Sequence, residues 1–229
     1  MRTVPQTPEE QGMQITPTPH LPWQPQGTVY GTLLNFSREW NLWAPRMTQD
    51  PHKAAPKAPV LYVKTANTFC PAGEALLLQD GVSEVDIGAT LGLVIGDDGQ
   101  VAGAALLCDW SVPHMSYYRP PVKFRCRDGF LALPQHVTVG QVTDWAALQI
   151  EVSCNGERMQ TVDLRDLVRD LPTLLADVGE FMTLQPGDVL MVGTDCLSDG
   201  TRPRARAGDR VEISAQGLPS VFVAVGGAA

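Results

Sequence analysis

The sequence has no paired metal-binding motif: its four histidines, His20, His52, His114 and His136, are isolated, and no HxH or HExxH occurs. It has no CxxC, and its five cysteines are scattered and odd in number, so neither a zinc knuckle nor a disulfide framework is expected. Cys70, Cys108, Cys126, Cys154 and Cys196 read as small apolar residues in a reducing compartment. No GxSxG marks a serine nucleophile, and no glycine-rich strand-to-helix loop marks a nucleotide site. No apolar run is long enough to cross a membrane, and no apolar segment follows the start as a secretory leader would, so a cytoplasmic protein is expected. A formal charge of -8 with no basic tail argues against nucleic-acid and anionic-membrane partners.

What is present is material for a core and many turns. Hydrophobic residues make up 44% of the chain, with 21 Gly and 19 Pro, which favours short strands over long helices. Residues 1–26 are rich in Pro, Gln and Thr and read as a flexible or extended arm, with Leu21 and Trp23 able to pin its end. Residues 27–229 read as one domain. Strands are expected over residues 28–34, 60–63, 85–96, 101–108, 147–154, 158–162, 189–192, 210–215 and 220–225. Asn155-Gly156 signals a hairpin. A short helix should follow Ser37 as its cap, with Trp40 and Trp43 facing inward. The leucine spacing of residues 163–182 predicts the main helix, capped by Asp163 and kinked or split at Pro172. The fold class is therefore mixed α+β and β-rich.

The charge pattern singles out one stretch, residues 103–130. It passes an aromatic patch at Tyr117 and Tyr118 and delivers Arg119, Lys123, Arg125 and Arg127 before closing on Asp128-Gly129. Read as a strand, Lys123, Arg125 and Arg127 share one face, where like charges repel unless an anion lies among them. Lys64 ends one expected strand and Thr194 follows another, so Lys64, Lys123, Arg125 and Thr194 form a candidate carboxylate-binding set. Asp109 ends an apolar strand, but one carboxylate does not hold a divalent ion.

Several motifs together resemble the fumarylacetoacetate hydrolase family: LQPGDVLMVGTD at 184–195, AGDRVEI at 207–213, GLPS at 217–220 and SCNGERMQ at 153–160. The resemblance covers about residues 27–225. YYRPPVKFRCRDGF at 117–130 is similar to the family branch that serves homoprotocatechuate (4-hydroxyphenylacetate) catabolism. That branch decarboxylates 5-carboxymethyl-2-oxo-hex-3-ene-1,7-dioate and isomerises 2-hydroxyhepta-2,4-diene-1,7-dioate. The resemblance implies a β-roll with peripheral helices, a small polyanionic oxo-acid substrate, and Mg²⁺ or Mn²⁺ held by three carboxylates as Lewis acid.

This chain departs from that pattern. The first two ligand positions are Gly88 and Thr90, leaving Asp109 alone. The turn that carries a His–Glu dyad in the family reads NFSREWNL, with Glu39 and Leu42 at those places. The resemblance thus implies no metal in this chain and none of its residues as the catalytic group. Mg²⁺ or Mn²⁺ is expected in a homologous partner subunit, or the chain pairs with itself. Asp109 and Asp128 are expected to orient the cations. Two other readings stay open: a metal-dependent acylpyruvate hydrolase or oxaloacetate decarboxylase, and a non-catalytic scaffold or ligand-binding subunit.

Overall fold

A computed structural model describes residues 21–114 and 122–227. Residues 1–20, Tyr117, Tyr118 and Arg119 lie outside the described residues. In chain order the strands are β1 (Val29–Leu33), β2 (Val60–Lys64), β3 (Phe69–Cys70), β4 (Leu76–Leu77), β5 (Val85–Asp86), β6 (Ala89–Ile95), β7 (Val101–Asp109) and β8 (Leu131–Ala132). They continue as β9 (Thr138–Val139), β10 (Gln149–Cys154), β11 (Glu157–Asp163), β12 (Val189–Met191), β13 (Arg204–Ala205), β14 (Arg210–Ala215) and β15 (Leu218–Gly226). The α-helices are α1 (Ser37–Trp43), α2 (Val122–Arg125) and α3 (Leu171–Gly179). Among the described residues no helix is long and apolar enough to cross a membrane.

The large sheet runs β2-β1-β12-β6-β7-β8-β3, with β9 also paired to β7. Its two edge strands are nearly consecutive in sequence, since β2 ends at Lys64 and β3 begins at Phe69. Six strand spacings would separate flat edges by about 29 Å, whereas that link spans at most about 18 Å. The sheet must therefore roll.

Side-chain alternation follows from the roll. Ala89, Leu91 and Leu93 of β6 and Ala104, Leu106 and Cys108 of β7 face outward, against the five-stranded sheet β11-β10-β14-β15-β4. Ala105, Leu107, Val29, Leu33, Val189 and Met191 face inward and fill the roll. Trp23, Trp40 and Trp43 pack on that inner core. Trp23 N–H also donates to Gln135 O at 3.0 Å, which fastens the end of the expected arm to the body.

Three expectations need correction. The apolar run 85–96 is interrupted at Ile87-Gly88 and forms two strands, β5 pairing with β13 while Asp86 still bridges Ser111 beyond the end of β7. Ser37 is inside α1 rather than its cap; its hydroxyl donates to Asp166 O at 2.6 Å. The leucine-rich stretch 163–182 is split rather than kinked, and Asp163 does cap its first turn, accepting from Arg165 N–H at 2.9 Å, but the break falls before Leu171 and not at Pro172. β11 runs to Asp163, a 3-10 turn follows at Leu164–Asp166, and α3 starts at Leu171 with Asp170 as cap. Pro172 sits in the first turn, where its missing N–H costs nothing. The Asn155-Gly156 hairpin joins β10 to β11 as expected.

Candidate functional site

At one end of the roll the side chains stop being apolar. β7 ends on Asp109, which is 1% exposed. β2 lies four strand spacings away, about 19 Å in a flat sheet, yet the roll carries Tyr62 and Lys64 to it. Gly31, opposite Tyr62 in β1, has no side chain, and the Tyr62 ring occupies that volume. Lys64 Nζ donates to Asp109 Oδ1 at 2.9 Å, to Phe130 O at 2.7 Å and to Arg125 O. Arg125 Nη1 donates to Asp109 Oδ2 at 2.6 Å and to the Tyr62 hydroxyl at 3.2 Å. The Tyr62 hydroxyl in turn donates to Asp109 Oδ2, and the Arg125 guanidinium lies over the Tyr62 ring at 4.9 Å.

Among the described residues, two cations thus share one anion in a buried place. Burial alone would raise the Asp109 pKa, but Lys64 and Arg125 outweigh it and hold the carboxyl below its ordinary value. Lys64 has only the one anion, so burial wins and its pKa is lowered despite Asp109. The two directions differ because the charges are unequal, and Lys64 is the member able to shed a proton, since arginine does not. Burial, then Asp109, push the Tyr62 phenol well above its ordinary range, so it remains a donor.

A second cluster adjoins the first. Arg202 Nη2 lies 2.5 Å from Glu39 Oε1, and Arg202 Nε and Nη2 donate to Thr194 Oγ1 at 3.3 and 3.1 Å. Glu39 and Thr194 are 3% and 5% exposed. Gly88 separates the clusters: a Cβ there would lie 2.5 Å from Asp109 O and 2.9 Å from Thr194 Cγ2. Asp86, on the same side, accepts from Arg204 Nε at 3.1 Å, and burial raises its pKa against the pull of Arg202 and Arg204. His114 stacks on Phe124 at 4.8 Å, its Nδ1 2.9 Å from Val112 O; burial lowers its pKa.

Residues 28–225 match the family described as Fumarylacetoacetate (FAA) hydrolase C-terminal. The chain belongs to the fumarylacetoacetate hydrolase family. It is 35% identical over 206 residues to the 4-hydroxyphenylacetate degradation bifunctional isomerase/decarboxylase of Salmonella dublin, covering 86% of this chain and 46% of that protein. The Escherichia coli protein of the same description is 34% identical over 204 residues, 85% of this chain and 46% of that one. The chain therefore spans about half the length of these relatives. Among solved structures, 5-carboxymethyl-2-hydroxymuconate delta-isomerase from Mycobacterium smegmatis superposes with a TM-score of 0.70 at 19% identity, over 88% of this chain and 79% of that one. Fumarylpyruvate hydrolase from Pseudomonas aeruginosa, in complex with Mn²⁺ and pyruvate, gives 0.70 at 18% identity, over 92% and 98%. At such identities these two show the shared fold.

Of the residues named from sequence, this member of the fumarylacetoacetate hydrolase family brings Lys64, Arg125 and Asp109 into direct contact. Lys123 does not join them. Residues 122–125 are a helical turn, not a strand, closed by Cys126 N–H donating to Val122 O at 2.8 Å. Lys123 is exposed while Arg125 is buried, so the expected common face does not exist. Asp128 is also exposed and accepts from Asn67 Nδ2 at 2.7 Å rather than orienting Lys64 or Arg125. Thr194 stands with Arg202 in the neighbouring cluster. Arg202, and the pairing of Glu39 with it, were not legible in sequence. In sequence Glu39 shows only as a departure in the NFSREWNL turn, and its partner lies far along the chain.

Gly88, Thr90 and Asp109, where the resemblance places metal ligands, lie on the inner face of the large sheet, with Gly88 opposite Asp109 and Gly88 O accepting from Asp109 N–H at 2.8 Å. Thr90 is buried. Among the described residues, no three His, Cys, Asp or Glu side chains group as a metal site.

Proposed function

We propose that this chain is the half of an oxo-acid decarboxylase/isomerase assembly that does without the family's metal. A homologous subunit carrying the full carboxylate set would supply Mg²⁺ or Mn²⁺. The substrate class is a short polyanionic 2-oxo acid of the kind handled in 4-hydroxyphenylacetate catabolism. The chain's own contribution is the roll that pairs with that subunit, and a degenerate carboxylate pocket around Thr194. Five free cysteines suit work in the cytoplasm.

The observation that carries this reading is the state of Asp109. Both its oxygens already accept from Lys64, Arg125 and Tyr62. A divalent ion placed there would meet each of two buried cations at about 4 Å, a repulsion of roughly 8 kcal/mol per cation at an effective dielectric of 20. Gly88 offers no donor, and the space for one is filled by Asp109 O and Thr194. The residues present therefore do not fit Mg²⁺, which wants near-octahedral oxygen coordination.

Titration of the purified chain with Mn²⁺, followed by calorimetry and EPR, tests the reading. No stoichiometric binding is expected below about 100 μM, a free energy near 5.5 kcal/mol. Mixing with the homologous subunit should yield EDTA-sensitive decarboxylation of the tricarboxylic oxo acid. Stoichiometric Mn²⁺ on this chain alone, lost in D109N, would overturn the assignment in favour of an independent metal-dependent hydrolase or decarboxylase. A mixture with kinetics identical to the partner alone would favour a scaffold.

A further inference from the structure

Glu39 is an unusual residue to bury. It belongs to α1, a seven-residue helix at the surface, where turning the side chain outward would leave it hydrated. Its neighbour Arg38 does turn outward, pairing with Asp195 at 3.0 Å with its own side chain 41% exposed. Glu39 instead points in, 4% exposed, and ends on Arg202 Nη2. Arg202 is 9% exposed and donates to Thr194 as well. Thr194 Oγ1 accepts both of those contacts, so its own proton remains to donate to an oxygen. A guanidinium fork with an adjacent hydroxyl is an arrangement that recognises a carboxylate, and here a carboxylate of the chain fills it.

The surroundings agree with an occupied pocket. Among the described residues, four cations (Lys64, Arg125, Arg202 and Arg204) and three acids (Asp109, Glu39 and Asp86) converge on the region. The field of Arg202 reaches Tyr62, Asp86, His114 and Cys196. With Glu39 in place Arg202 Nη2 already carries a carboxylate, and a free anion has to compete with it. With Glu39 gone, Arg202 loses that carboxylate beside Thr194.

We propose that Arg202 and Thr194 form a carboxylate-binding pocket whose resident occupant is the Glu39 side chain, so that a free short-chain carboxylate binds only by displacing it. The proposal rests on the degenerate-pocket reading above and adds what holds that pocket closed.

Calorimetric titration of the full chain with acetate, malonate and oxalate in low-chloride buffer tests it. Wild type is expected to bind weakly, with Kd above about 10 mM, and E39A at least about tenfold more tightly. The melting temperature of E39A should rise with acetate concentration, as mass action requires for a ligand of the native state. E39A/R202M should lose the gain. Should E39A fail to fold, E39Q keeps the side-chain volume without the charge and is expected to bind about threefold more tightly than wild type. Folded E39A or E39Q with no gain, or a gain that survives R202M, overturns the proposal. Mn²⁺ titration of the same proteins reports separately on the metal-free reading. A chain that bound Mn²⁺ while E39A gained carboxylate affinity would sink that reading and leave this one standing.

Discussion

Replacing Asp109 by alanine strands two buried cations at once. Removing one partner of a buried ion pair costs about 3–5 kcal/mol, a large part of the roughly 5–15 kcal/mol that holds a domain together. Lys64 keeps two carbonyl acceptors, Arg125 O and Phe130 O, so it retains hydrogen bonds but loses its counter-charge. Burial already lowers the Lys64 pKa, and without Asp109 it falls further, so this residue retreats to the neutral amine. Between that lowered value and its unfolded value of 10.5, the unfolded chain binds the extra proton, and stability rises with pH. The D109A deficit should therefore be about 4 kcal/mol near pH 7 and no larger near pH 9. Urea unfolding at both pH values, with D128A as the exposed control, measures it. A deficit equal to that of D128A, or one that grows with pH, would refute the reasoning. In the wild type the Asp109 contribution has the opposite window. Its folded pKa lies below the ordinary 3.8, so the contribution is complete above that value and disappears as pH falls through the folded one.

Other outcomes follow from the same geometry. G88A forces a methyl against the Asp109 carbonyl and Thr194 and should cost about 1–3 kcal/mol by urea unfolding. K123A, at an exposed position, should stay within about 0.5 kcal/mol of wild type in the same assay. N35A removes an amide that donates to Val192 O at 2.9 Å and Arg169 O at 3.1 Å and accepts from Arg169 N–H. Leaving those groups unpaired should lower stability by about 1–3 kcal/mol, read as a fall in melting temperature.

Much of the fold was visible in local patterns. The apolar run of β7 and the hairpin at Asn155-Gly156 each state their structure within a few residues. Where the reading failed, the window was too short. Lys123, Arg125 and Arg127 alternate over only five positions, which a strand and a helical turn satisfy equally. The helical spacing instead groups Lys123 with Arg127, whose Nε donates to Lys123 O at 3.2 Å, and turns Arg125 inward. Leucines at helical spacing hid the strand end at Asp163, yet Asp170 before Pro172 was a start signal in plain view. In the site, Asp109, Lys64 and Arg125 could be named from their placement at strand ends and in a motif. Their mutual satisfaction could not, because the charges read as awaiting an external anion. Glu39 and Arg202 meet across 163 positions, and no local pattern encodes such a pair.

The placement of β1 has a consequence for how the protein is made. Its neighbours are β2, close behind it, and β12, which pairs with it in parallel through Val29 and Val189. Asp188 adds a clasp, accepting from Thr28 N–H at 2.7 Å. A nascent chain can form the first of these pairings early, but the roll stays unzipped along its middle until residue 189 has left the ribosome. Such distant pairing slows folding and leaves inward-facing Leu33, Ala105 and Leu107 without the β12 side of the roll until then, a natural substrate for chaperones.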